Sequence, residues 1–359
     1  MRDPLALVRA AAWNAGERRP RAPLRLLGHT VLLVVALVVF SLGLGLVRGP
    51  TPFAGLSPLG ALALQFVLVG GAVVVATLVA VRVLDRRPFA GVGLGVDRAW
   101  WRDLAAGLAL GAALQTGIFL TSVGAGWTRV GRVGGAGVVG GLALGAVVMA
   151  AVGFYEELWF RGYYLTNVAE GLRAVPRVDA RRATLAATAL TSLGFGVVHA
   201  TNPNATPVSS ALVAGYGVYL AVGYLLTGDL ALPVGFHASW NYVQGFVYGL
   251  PVSGLNLEAS LLGTRTAGPA VLTGGPFGPE AGLVGLAWVL ASLPAIWWWV
   301  RRTRGEVGLR VGIAVPDRPG VDVGVEAGRE PEEGDGSQEP AEDGERVSPT
   351  ADEGTEDAP

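Results

Sequence analysis

The chain has 359 residues, 51% of them hydrophobic and only 15% charged, with a formal net charge of −1 and a mean hydropathy of +0.47. That balance lies outside the range of an ordinary soluble domain and predicts an all-α, polytopic membrane helix bundle in a lipid bilayer. With no cysteine, disulfides, thiol nucleophiles and cysteine-ligated metals are excluded. Nucleic-acid binding is also disfavoured, because the arginines are spread between apolar runs rather than gathered as one basic face.

In chain order, residues 1–25 form an Arg-rich amino-terminal segment, expected to be cytoplasmic. Apolar runs of about 20 residues, the length that spans roughly 30 Å of hydrocarbon, start at Leu26–Val47. That first run is long for a signal h-region and no small-residue cleavage site follows it, so it reads as a retained helix. Gly, Pro and Arg punctuation divides 26–305 into about eight membrane helices, near 26–47, 59–81, 103–125, 138–165, 183–200, 208–227, 230–249 and 282–300. No internal repeat is visible. Trp100 and Trp101, and Trp297 to Trp299, fall beside Arg clusters at helix ends, where aromatic anchoring at the headgroups is expected. The last segment, 306–359, carries fifteen acidic residues from position 316 onward against Arg318, Arg329 and Arg346. Rich in Glu, Asp, Pro and Gly and free of aromatics, it is expected to be a solvated, disordered tail.

Orientation follows from the arginines, which collect on the cytoplasmic side of membrane proteins. With the amino terminus inside, the inner connections hold Arg18, Arg19, Arg21 and Arg25, then Arg82, Arg86, Arg87, Arg98 and Arg102, then Arg173, Arg177, Arg181 and Arg182, then Arg301, Arg302 and Arg304. The outer ones hold Arg48, Arg129, Arg132 and Arg265. Both termini are therefore expected in the cytoplasm of a multi-pass cell-membrane protein.

Ionisable groups at membrane depth are costly and are functional candidates by default. Three clusters stand out: Glu156-Glu157 with Arg161, Phe195 with His199, and His237 with Asn241. Adjacent helix residues point about 100° apart, so the two glutamates divide their roles. Glu157 lies one turn before Arg161 in the favourable order for an ion pair, which leaves Glu156 without a local partner and suited to activating a water. His199 follows Phe195 by one turn and precedes Ala-Thr-Asn-Pro, which ends the helix. His237 and Asn241 share a face, where an amide can meet a developing oxyanion.

Two mechanisms fit this set. Glu156, His199 and His237 could bind Zn²⁺ as a three-ligand open site. Alternatively Glu156 and His199 activate water directly while His237 and Asn241 stabilise the oxyanion. No H-E-x-x-H motif is present to favour the metal.

Glu156-Glu157-x-x-x-Arg161, Phe195-x-x-x-His199 and His237-x-x-x-Asn241, in that order within apolar runs, resemble the three motifs of the CPBP family of CAAX prenyl endopeptidases and bacteriocin-processing proteases, also called the Abi family. The core of the resemblance is about 100–300, with supporting similarity at Trp100–Asp103, before the third helix, and at Thr273–Glu280. It implies an intramembrane endopeptidase, classed with the metalloproteases, whose catalytic cavity opens toward the cytosolic half and whose substrates are membrane-tethered, prenylated or otherwise hydrophobic proteins. By resemblance Glu156 is the water-activating carboxylate, Glu157 and Arg161 its supporting pair, His199 its partner, and His237 with Asn241 the second polar pair. A non-catalytic scaffold or immunity protein is the alternative, and a proton-coupled transporter, which would call for matched broken helices, is weaker.

Overall fold

The computed structural model describes residues 12–47, 55–135, 137–257 and 259–315. The expectation of a disordered tail over 306–359 fails at its start: Val311–Ala314 form a 3-10 turn whose Ala314 is fully buried, while residues 316–359 lie outside the described residues, as do the first eleven positions and Arg48.

Each apolar run contains a helix; several start a few residues ahead of the hydrophobic stretch, at capping residues, whereas α4 and α7 end earlier than their runs because π-helical stretches follow them. They are α1 Ala22–Val47, α2 Pro58–Val83, α3 Arg98–Gly124, α4 Val138–Glu157, α5 Ala180–His199, α6 Pro207–Thr227, α7 Ala231–Tyr242 and α8 Leu283–Arg304. Asp97 caps α3 by accepting the Trp100 N–H at 2.7 Å, and Asp179 caps α5 by accepting from Arg182 at 2.7 Å. Thr206 and Ser209 form a reciprocal capping box ahead of Pro207, the first residue of α6. Because α3 starts at Arg98, Trp100–Asp103 lies inside its first turn rather than before it.

Six of these, α1, α2, α3, α4 with its extension, α6 and α8, are long and apolar enough to cross a membrane. The protein is a multi-pass membrane protein. The other two differ for separate reasons. Helix α5 turns Thr184, Thr188, Thr191 and Ser192 into the bundle, which lowers its hydropathy. Helix α7 has only 12 residues, about 18 Å of rise, and every side chain from Ala231 to Asn241 is buried. It is an internal helix wrapped by protein rather than by lipid.

What holds α7 inside is backbone contact. A Cβ at Gly107 of α3 would strike the Leu232 carbonyl, one at Gly235 of α7 would strike the Leu104 carbonyl, and one at Gly153 of α4 would sit 2.8 Å from the Ala238 nitrogen. Small residues let helices approach this closely in a membrane. They bring α3, α7 and α4 into one slab.

Helix α4 continues past Glu157 as a π-helical stretch, Leu158–Leu165, and then an α-helical Thr166–Leu172. A second π-turn, Val243–Val247, follows α7. Such turns insert a residue into the helical ladder and gather at functional sites; here the first follows Glu156-Glu157 and carries Arg161, and the second begins two residues after Asn241.

Two small antiparallel sheets complete the architecture, neither of them foreseen from the sequence. Strands β1 Trp13–Asn14 and β2 Arg19–Pro20 pair near the amino terminus. Strands β3 Thr128–Val133 and β4 Leu262–Thr266 pair across more than a hundred residues, with a register shift between Val130 and Arg132. They tie the α3–α4 connection to the α7–α8 connection.

Among the tryptophans, Trp101, Trp297 and Trp298 are exposed as anchors should be, but Trp100 is buried and Trp299 donates its indole N–H to Asp103 at 2.9 Å. Trp299 thus fastens α8 to α3, while Trp100 donates its indole N–H to the Gly93 carbonyl at 3.3 Å, and both correct the expectation of headgroup anchoring.

Candidate active site

The three polar clusters converge. Glu157, fully buried on α4, accepts from Arg161 Nη1 at 2.9 Å and from His237 Nδ1 at 2.8 Å. Arg161 also donates to the Gly217 carbonyl at 3.1 Å and lies over the Phe195 ring, 4.4 Å from its centroid. The imidazole of His199 is 4.4 Å from the same ring, centroid to centroid. Phe195 therefore contacts both a cation and a histidine and joins the first cluster to the second.

Glu156 is oriented differently, as the 100° step predicts. Its Oε2 lies 3.9 Å from His199 Nε2 and 3.8 Å from His237 Nε2. Both separations exceed a hydrogen bond, and Oε2 is buried without a hydrogen-bonding partner among the described residues. The two imidazoles are fixed from behind. His199 Nδ1–H donates to the Phe195 carbonyl at 2.8 Å and His237 Nδ1–H to Glu157, which directs both Nε2 atoms at Glu156.

A cleft with about 40 Å³ of room for solvent adjoins these groups, walled by Phe195, His199, His237, Trp240, Asn241 and Glu280. That is space for a few waters. Asn241 stands on this wall one turn beyond His237, so the two share the cleft, although the fixed partner of the His237 ring is Glu157.

As donors, two imidazoles and a carboxylate are the chemistry of a zinc site, and the orphaned Glu156 Oε2 is suited to it. Their separations of 3.9 and 3.8 Å are somewhat wider than those of donors about 2.1 Å from a tetrahedral zinc, and among the described residues no group of three His, Cys, Asp or Glu forms a ready-made metal site. The arrangement has the depth and spacing for one water between three polar atoms.

The family model of Rce1-like proteins, described as type II CAAX prenyl endopeptidase Rce1-like, matches residues 138–243. Over those residues the chain is similar to that family. The Rce1-like region runs from the start of α4 to the end of α7 and contains all three clusters. No curated protein and no solved structure gives a significant match.

Outside the Rce1-like region, the structure adds a residue that the motifs did not reveal. Glu280, ahead of α8, accepts from Gln244 Nε2 at 2.7 Å and from the Ser253 backbone N–H at 3.1 Å. Burial pushes its carboxyl up to about 7, against the hydrogen bonds that favour its charged form. Its signal in the sequence was a single carboxylate in the Gly- and Pro-rich Thr273–Glu280 stretch, with nothing nearby to pair it.

Proposed function

We propose that the protein is a glutamate-dependent intramembrane endopeptidase that hydrolyses peptide bonds in membrane-associated proteins. One observation carries this reading: a buried carboxylate oxygen, Glu156 Oε2, without a hydrogen-bonding partner among the described residues and within 4 Å of the Nε2 atoms of both His199 and His237.

A water held among these three atoms gives its proton to Glu156 as its oxygen attacks the scissile carbonyl. His199 orients that water. The carbonyl oxygen gains charge, and Asn241 donates its amide N–H to it; His237, on the same face of α7, donates from Nε2 as the imidazolium, with Glu157 holding its Nδ1–H. Glu156 then returns its proton to the leaving nitrogen, the C–N bond breaks, the new carboxyl passes its remaining proton to the amine, and a carboxylate and an ammonium group depart. Arg161 acts as a positioning residue: it balances Glu157, which in turn fixes the His237 ring.

The test is hydrolysis of a membrane-protein pool by the purified chain and by Glu156→Gln in liposomes, each with and without a chelator. Cleavage lost in the variant and kept under chelation is the expected result. Loss under chelation, restored by zinc, would move Glu156, His199 and His237 to the role of metal ligands. An active Glu156→Gln protein would sink the hydrolytic assignment and favour a scaffold.

A further inference from the structure

Two expectations drawn from the sequence conflict once the helices are placed. The arginine count puts the connections near 84–97, 173–179 and 228–230 in the cytoplasm, whereas the family resemblance has the catalytic cavity opening to the cytosolic half. In this fold the cleft lies toward the opposite end of the bundle.

That end is defined by three interlocked connections. Asn202 and Asn204, just after α5, donate to the Ser253 and Gly254 carbonyls at 3.1 Å each. The Gly254 N–H donates to the Phe277 carbonyl at 2.6 Å, and Glu280 accepts from Ser253. The β3–β4 sheet belongs to the same end, since β3 follows α3 and β4 follows α7. His199, the last residue of α5, and Ser253 and Glu280, in the connection before α8, all line the cleft.

The structure also sharpens the charge bias. Some arginines counted as topology signals are consumed inside the protein: Arg19, Arg25 and Arg87 are buried around Glu170 and Asp85. The exposed ones remain for the membrane surface to read. Among the described residues, the end away from the cleft exposes twelve: Arg18, Arg21, Arg82, Arg86, Arg98, Arg102, Arg173, Arg177, Arg181, Arg182, Arg301 and Arg302. The end nearer the cleft exposes three, Arg129, Arg132 and Arg265. Discounting the buried arginines leaves the asymmetry strong, and arginine excess governs which side stays in the cytoplasm.

We propose that the cleft opens on the side of the membrane away from the cytoplasm and takes its substrates, membrane-anchored protein segments, from that side. The substrate half of this statement rests on the hydrolase reading; the sidedness does not. A lipidated tail presented at the cytoplasmic face would meet the wrong end of the bundle.

The absence of cysteine makes the test direct, since any introduced thiol is the only one in the chain. Val271, 63% exposed ahead of α8, marks the cleft end, and Val175, 47% exposed after α4, marks the other. Intact cells expressing full-length Val271→Cys or Val175→Cys are treated with a membrane-impermeant maleimide, before and after permeabilisation. Val271→Cys should label fully in intact cells, and Val175→Cys should gain about tenfold on permeabilisation if arginine excess sets the orientation. The reverse pattern, or full labelling of both in intact cells, overturns the proposal. Val133→Cys and Ala174→Cys provide a second pair should either variant fail to fold. Right-side-out vesicles should then cleave an externally added lipid-anchored fluorogenic peptide that inside-out vesicles leave intact; the opposite sidedness of cleavage also overturns it. If labelling is as expected and neither vesicle cleaves, the hydrolase reading fails and the sidedness stands.

Discussion

At the scale of single residues, the site is a division of labour between two adjacent glutamates. Glu157 is held by Arg161 and His237, while Glu156 has an oxygen facing two imidazoles with no hydrogen-bonding partner among the described residues. Glu156→Gln keeps the shape and removes the base, so hydrolysis should fall about 10²–10⁴-fold, read as initial cleavage rate, with membrane insertion unchanged. Arg161→Ala should act by another route. It leaves the Glu157 carboxylate buried with one partner fewer, which costs about 3–5 kcal/mol and should lower the thermal midpoint in detergent along with activity. Glu280 makes a pH prediction. Its carboxyl, near 4.5 in the unfolded chain and about 7 in the fold, keeps its proton in the folded state between those values after the unfolded state has lost it. Stability should therefore fall as pH rises from 4.5 to 7, by roughly 3 kcal/mol in all, and stay level above. Glu280→Gln should flatten that slope in thermal inactivation measured across the window.

At the scale of elements, α7 decides whether a site exists. Twelve residues are too few to span a bilayer, and its position depends on glycines that let α3 and α4 approach its backbone. Gly107→Ala places a methyl group against the Leu232 carbonyl, with backbone on both sides and no flexible side chain to yield. Overpacking of this kind costs about 1–3 kcal/mol. Because His237 and Asn241 ride on α7, activity should drop with it, whereas alanine at Gly140, where a Cβ meets open space, should leave the cleavage rate as it was. The helices themselves were legible in the sequence because length, hydropathy and capping residues are local properties. The pairing of β3 with β4 was not, since strands of five or six residues separated by more than a hundred carry no local signal of their partner.

At the scale of the whole molecule, the two ends of the bundle are closed by different chemistry. Away from the cleft, Glu170 accepts from Arg25 Nη2 at 2.6 Å and Arg19 Nη2 at 3.3 Å, and pairs with Arg87. Asp85 accepts from Asn167 at 2.8 Å and from the Tyr163 hydroxyl at 3.2 Å. This network ties the β1–β2 segment, the α2–α3 connection and the extension of α4 together. Glu170→Ala would leave three buried guanidinium groups short of an anion, and loss of one member of such a cluster costs about 3–5 kcal/mol. The expected outcome is a lower thermal midpoint and protease sensitivity near residue 20. Nothing in the spacing of Arg19, Arg25, Arg87 and Glu170 announced that they meet, so arginines that read as topology signals proved partly to be internal struts.

The sequence by itself determined the class of molecule, the helix positions and the candidate residues, because apolar run length, caps and four-residue spacings are written in neighbouring positions. It also separated Glu156 from Glu157, since the turn per residue of a helix is fixed. Only the tertiary structure decided that Glu157 holds the His237 ring, that Glu280 shares the cleft, and that the Nε2 atoms of His199 and His237 both face Glu156, from 3.9 and 3.8 Å. It also decided at which end the cleft lies. Those facts depend on how close helices distant in sequence can approach, and glycines at the α3–α7 and α4–α7 contacts set that distance through backbone van der Waals limits.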